Sequence, residues 1–404
     1  MTCRCIKPPT PAFRTGYIYW GEVIPYGFVA YDDEGYSWAA DTVTFRSYFQ
    51  DYIKKKGAFC MRIFTGFQHG VNLGGWLSQS VATTDAHFNT FITEADIERI
   101  AAMGFDHVRL PVDYNWIEDE KGDPIENGLA HIDDCVRWCE TRNMNLLLDL
   151  HKAFGYTFDP LDVDADREIF FHDKALQARF IALWQRLARR YGPHASVAFD
   201  LLNEVVSPNV ADAWNDIVDR TISAIRVIAP DTWIVVGGVC YNNVKSVPLL
   251  APPHDKRIVY NFHCYEPMIF THQKAYWVED MPSDLNVPYP DDLAHYQALS
   301  QQLSFDLAGA IADERVDALG PQFFEAMFAP AIKAAEANDA PLYCGEYGVI
   351  DQAPAEDALR WHQDIGQVFD RHGIGRALWN YKNKDFGLVD PHYDDIRDRL
   401  LKTL

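Results

Sequence analysis

MNLLLDLH (144–151), ALQARFIALWQRLARRYG (175–192) and VAFDLLNE (197–204) read as strand, helix and strand, and this unit decides the fold. The two outer runs are short and nearly continuous in apolar character, as parallel strands covered on both faces should be. The run between them repeats apolar residues at helical spacing and stops at Gly192, with Pro193 beyond it.

The same alternation extends in both directions. FDHVRLPV (105–112) lies upstream, and TWIVVGG (232–238), IVYNFHCY (258–265), PLYCGEYGV (341–349) and GRALWNYK (375–382) lie downstream. GFQHGVNLGG (66–75) supplies a first strand of weaker pattern. TEADIERIAAMG (93–104) opens on a Thr cap, carries Asp three residues later and closes on Gly104. ADAWNDIVDRTISAIRVI (211–228), FFEAMFAPAIKAAEAND (323–339) and ALRWHQDIGQVFDRHG (358–373) follow the same design, with DIRDRLLKTL (395–404) as the last helix. Eight strands alternating with helices are the count and order of an α/β chain folded as a (β/α)8 TIM barrel, assigned to residues 61–404. A doubly wound open sheet is the alternative, but no GxGxxG follows an early strand.

Residues 1–60 form an N-terminal extension rich in Tyr, Phe and Trp, within which VIPYGFVAYDDEGYSWAADTVTF (23–45) reads as a hairpin or an appended cap. Residues 266–322 are a long connection after the sixth strand, and such loops wall the active site of a barrel.

Composition narrows the partners. Of 404 residues, 48% are hydrophobic and 23% charged, an ordinary globular balance. The net charge of −22 repels phosphate backbones and anionic lipid, so no nucleic-acid or membrane partner is expected. No run approaches the roughly 20 apolar residues of a spanning helix. MTCRCIKPPTPAFRTGYIYW (1–20) lacks the apolar core of a secretory signal, which implies a chain that is intracellular or already stripped of one. The eight cysteines are scattered without CxxC spacing, so reduced, packed thiols are expected. Cys135 and Cys139, four apart, mark one buried helix face; Cys264 and Cys344 should turn into the barrel–helix interface.

Barrel chemistry sits at the C-terminal ends of the strands. There the sequence places Arg109 (second strand), His151 (third), Asn203 and Glu204 (fourth), His263 and Tyr265 (sixth), Glu346 (seventh) and Trp379 (eighth). Each has a bland reading alone, as an ion-pair partner, a cap or packing. Burying so many polar groups at one end without a task is costly. Two carboxylates on separate strands can face each other across a cleft, the arrangement glycoside hydrolysis needs. Glu346 as nucleophile must be ionised, which Arg109 and a hydrogen bond from Tyr265 favour. Glu204 must start protonated, which partial burial and the neighbouring negative charge favour. Asn203 suits a sugar 2-hydroxyl, and Trp379 offers a flat face to a pyranose ring. Two carboxylates and water suffice, so no cofactor is expected. No metal is expected either, because GFQHGVNLG lacks the HxH of barrel metallohydrolases, and no GxSxG elbow marks a serine nucleophile.

At this point the chain resembles glycoside hydrolase family 5, over about residues 66–385. The resemblance rests on an ordered series: GVNLGGWL (70–77), VRLPV (108–112), LLLDLH (146–151), LLNE (201–204), NFHCYEP (261–267), CGEYGV (344–349) and ALWNYKN (377–383). It implies a retaining glycosidase with Glu204 as acid/base and Glu346 as nucleophile, and with Arg109, His151, Asn203, His263, Tyr265 and Trp379 on the remaining site positions. YEPMIFTHQKAYW (265–277) is similar to the sixth-strand loop of members acting on β-glucans, with Trp277 as a further sugar platform. The substrate so implied is a β-1,4- or mixed β-1,3/1,4-glucan; β-mannan and exo-action on β-1,3-glucan are the alternatives. A non-catalytic carbohydrate-binding barrel is the rival from another class, and it would have lost one of the two carboxylates.

Overall fold

The computed structural model describes residues 61–80, 82–162, 168–278, 281–301 and 316–404, and the backbone of three strands at 20–24, 27–31 and 37–40. The chain divides into two compact units, Met1–Cys60 and Met61–Leu404. In the first, Trp20–Ile24, Gly27–Tyr31 and Ser37–Ala40 pair in order as an antiparallel meander, one strand more than the hairpin read from the sequence.

The second unit is a closed barrel of eight parallel strands: β1 His69–Asn72, β2 His107–Asp113, β3 Asn145–Lys152, β4 Val197–Asp200, β5 Ile234–Gly237, β6 Ile258–Cys264, β7 Leu342–Tyr347 and β8 Gly375–Leu378. They run round the barrel in chain order, and β8 closes on β1 through Ala377 opposite Gly70. The outer helices are α1 Glu94–Ala102, α2 Glu126–Glu140, α3 Lys174–Tyr191, α4 Ala211–Arg226, α5 Pro321–Ala337, α6 Ala355–His372 and α7 Arg397–Leu400. None of the described helices is long and apolar enough to cross a membrane.

Local chemistry sets the helix ends. The Asp96 carboxylate accepts from the Thr93 backbone N–H and hydroxyl, both at 2.8 Å, which starts α1 where the sequence placed it. Asp173 caps α3 by accepting from Ala175 N at 2.7 Å.

Three elements differ from the reading. α2 appeared there only as the buried Cys135/Cys139 face, and the structure buries both thiols on a four-turn helix. After β5 the chain makes a 3-10 helix, Val244–Leu249, in which Pro248 removes a backbone donor. α7 covers only Arg397–Leu400; the chain then turns so that the Leu404 carbonyl accepts from the buried Arg376 at 2.7 Å.

Strand alternation sorts the barrel interior into layers. The floor is apolar: Leu147, Ala198, Val235, Val259, Tyr343 and Ala377 point inward together, and the stacked Phe64 and Phe67, 4.1 Å apart, plug them from below. Two residues higher on β3, β4 and β6 the side chains become polar, and Asp149, Asp200 and Asn261 are fully buried together with Arg109 of β2. Two higher again come His151 and His263, and Trp379 follows just past the end of β8. Outward-facing Leu146, Leu148, Leu150, Cys264 and Cys344 pack into the barrel–helix layer, so the two thiols turn away from the mouth.

Candidate active site

The polar middle layer is built round Arg109, which the sequence placed at the end of β2 but which lies in its interior. From there the long side chain reaches up the barrel. Nε donates to Asp200 at 3.1 Å, one terminal nitrogen to Asn72 (3.0 Å) and Glu346 (2.7 Å), and the other to Asn203 (2.9 Å), while Asp149 is ion-paired to that last nitrogen at 3.1 Å. The planar fork thus holds carboxylates from three strands at once. Burial pushes Asp149 and Asp200 each up to about 7, with Arg109 opposing.

Glu346, on β7, has one oxygen on Arg109 and accepts from the Tyr265 hydroxyl at 2.9 Å on the other. Glu204 stands four residues past the end of β4 rather than on it, with a left-handed backbone, φ +42°. A non-glycine residue there costs roughly 1–2 kcal/mol. Tyr156 holds it in place: its hydroxyl donates to the Glu204 carbonyl at 2.6 Å and accepts from Val206 N at 3.0 Å. His263 Nδ1 lies 2.8 Å from Glu204 Oε1 and 3.7 Å from Glu346 Oε2.

Ligand atoms of Glu204, His263 and Glu346 all lie within 4.8 Å of one another. This trio is the one group of three among the described residues with the donor spacing for a cation, and His151 is outside it, paired with Asp149 at 2.6 Å. The Arg109 guanidinium already supplies positive charge beside Glu346.

Electrostatics separate the two glutamates. Burial, then the charge of Glu346, holds Glu204 well above the usual carboxyl range. Burial also raises Glu346, but Arg109 and the Tyr265 hydroxyl oppose it. Of the pair, Glu204 is the one that keeps a proton. Burial holds both histidines neutral, His151 at about 3 and His263 well below the imidazole range.

The floor of the cleft is Trp379, stacked parallel to His151 at 5.8 Å. The ring lies over Gly74, where a Cβ would come within 2.5 Å of it, so glycine is required for this approach. Asn203 keeps a buried Nδ2 with no partner in the fold, a donor left over for a ligand.

Residues 66–385 match the sequence model of the family described as cellulase (glycosyl hydrolase family 5). Endoglucanase C of Acetivibrio thermocellus is 40% identical over 343 residues, covering 84% of this chain and 98% of the relative. Cellodextrinase A of Ruminococcus flavefaciens is 41% identical over 312 residues, 77% of this chain and 84% of the relative. The chain belongs to glycosyl hydrolase family 5. Among solved structures, a crystal structure of a glycoside hydrolase superposes with TM-score 0.68 at 24% identity, covering 83% of this chain and 99% of that one. Cel5A of Thermotoga maritima gives 0.65 at 20% identity, covering 84% and 97%, and both share the barrel fold.

In this family 5 barrel, Arg109, His151, Asn203, Glu204, His263, Tyr265, Glu346 and Trp379 converge at one mouth. Trp277 sits further out, linked to Tyr265 through His272 and Phe386, with ring centroids 6.0 Å and 6.4 Å from these two. It walls the mouth from the long connection.

Sequence reasoning missed several residues that surround these side chains. Asp149 had a signal, because in LLLDLH it stands two before His151 and so shares its face. Tyr156 and Asn242 had none, being loop residues placed by the fold. Lys384 belongs with them: it lies against Gly75, and Asn383, Lys384 and Asp385 are all left-handed, φ +60°, +57° and +62°.

Proposed function

We propose that this family 5 glycoside hydrolase cleaves internal β-1,4-glucosidic bonds of β-glucans by double displacement, with Glu204 as acid/base and Glu346 as nucleophile. The observation that carries the mechanism is the close approach of the two carboxyl groups, one oxygen of each lying within 4.8 Å of the other. Retention calls for about 5–5.5 Å, whereas inversion needs about 6.5–9.5 Å to admit a water. Two relatives at 40% and 41% identity named endoglucanase and cellodextrinase support the glucan reading.

The steps follow from the environments. Glu346, ionised between Arg109 and Tyr265, attacks the anomeric carbon while the Glu204 proton passes to the leaving oxygen. The products are an alcohol end and a glycosyl ester on Glu346. Loss of the Glu346 charge lowers the proton affinity of Glu204, which then takes a proton from water. The hydroxide so formed bonds to the anomeric carbon, and the ester bond breaks. Asn203 Nδ2 is placed for the 2-hydroxyl, and Trp379 carries the ring.

The reading is tested on a panel of cellulose, barley glucan, laminarin and mannan, with NMR following the anomer first released. β-Anomer from barley glucan and cellulose is expected, and first-formed α-anomer would overturn retention. Glu346→Ala should lose at least about 10³-fold in kcat. With azide it should regain turnover and release an α-glycosyl azide. Glu204→Gln should lose on the order of 10²–10⁴-fold on unactivated glucan, yet keep its first step on aryl glycosides with good leaving groups. Equal losses on both substrates would remove Glu204 from its role.

A further inference from the structure

We propose that Asn242 is a positioning residue that selects the tautomer of His263, so that the His263 Nδ1 proton faces Glu204 and the Glu204 proton is kept on the oxygen free to meet the leaving group. This rests on the reading of Glu204 as acid/base.

The argument starts from one contact. Asn242 Nδ2 lies 3.4 Å from His263 Nε2, and both side chains are buried. A carboxamide nitrogen only donates, so Nε2 accepts. A neutral imidazole has a single N–H, which must then be on Nδ1. Nδ1 is 2.8 Å from Glu204 Oε1, so that oxygen accepts and the carboxylic proton sits on Oε2. In the opposite tautomer Nδ1 would be a lone pair. It would capture the Glu204 proton and hold it away from the substrate.

The surroundings of Asn242 are arranged for this contact. At Gly237 on β5 a side chain would overlap the Asn242 amide, its Cβ 2.5 Å from Nδ2. Cys240, Tyr241 and Asn242 are three consecutive left-handed residues, φ +55°, +58° and +53°. Such a turn persists only where its ends are over-determined. Here Tyr241 N donates to the carbonyl of Val205, beside Glu204, at 3.0 Å. Asn243 pairs with His263 as an isolated parallel bridge, and its Nδ2 donates to Glu266 at 2.9 Å. Asn242 Oδ1 is buried without a partner, so the contact of Nδ2 with His263 is the side-chain hydrogen bond found for this amide among the described residues. The contact with His263 is what this amide does.

The test has a readout independent of activity. Nitrogen-15 NMR of labelled full-length protein, with His263 assigned by loss of its signals in His263→Gln, is expected to show Nδ1–H with Nε2 unprotonated. Asn242→Asp, which offers an acceptor, should move the proton to Nε2. The same variant should lose roughly 10–100-fold in kcat/KM on cellodextrins but less than about 3-fold on a dinitrophenyl cellobioside. Gly237→Ala, which displaces the amide from outside, should reproduce the split. An Nε2–H tautomer in the parent overturns the proposal, whatever the variants do. So does equal loss on both substrates in an Asn242→Asp protein that unfolds at the parental temperature. Failure of the acid/base reading itself shows differently, as no dependence on the leaving group in Glu204→Gln.

Discussion

Arg109 shows how one side chain sets the character of several others. Its guanidinium holds groups from β1, β3 and β7, Asp200 at the end of β4 and Asn203 three residues beyond it, so it fixes geometry and charge together. Arg109→Gln leaves Asp149, Asp200 and Glu346 buried without their cation, an arrangement that costs about 3–5 kcal/mol; chemical denaturation should record a loss of that order. The sign of the pH effect also follows. Glu346 must be ionised to attack, and Arg109 lowers its proton affinity. Without the guanidinium, the acidic limb of kcat/KM should move to higher pH. A limb that stays in place would mean that Arg109 does not govern the ionisation of Glu346.

Elements were legible in proportion to how far local sequence dictates them. Seven strands read well because each is a short, continuously apolar run, a pattern that double coverage imposes. Helices that stop at a glycine, such as α1 and α6, were placed to within a turn. The polar strand ends were legible as a set, and with them most of the cleft. Arg109 and Glu204 were put at strand ends, yet one is interior to β2 and the other is past β4. Neither shift has a local signal: Arg109 works by reach, and the left-handed turn at Glu204 is enforced by Tyr156 from another loop. The floor layer was not legible at all, because inward and outward residues of a fully buried strand look alike in sequence. Its contribution can be measured. Leu147→Ala opens a cavity among fully buried side chains and should cost about 2–5 kcal/mol. Since the floor lies two layers below the mouth, kcat well below the melting temperature should change little. A large fall in kcat with unchanged stability would contradict this division of labour.

For the molecule as a whole, the acidic interior ties stability to pH. The Asp200 carboxyl is raised from 3.8 to about 7 by burial, against the attraction of Arg109. A group raised on folding contributes fully while protonated, and that contribution drains away as pH rises from the unfolded value to the folded one. Asp200→Asn should therefore gain stability relative to the parent as pH goes from about 4 to about 7, with a constant difference above. Thermal unfolding of both proteins across that range checks it; a gap that does not move would mean that Asp200 stays ionised in the native barrel. The aromatic plug of Phe64 and Phe67 has a consequence on the same scale. With the lower end stoppered, no polymer can thread the barrel, and every sugar that reaches the carboxylates must come and go by the upper rim.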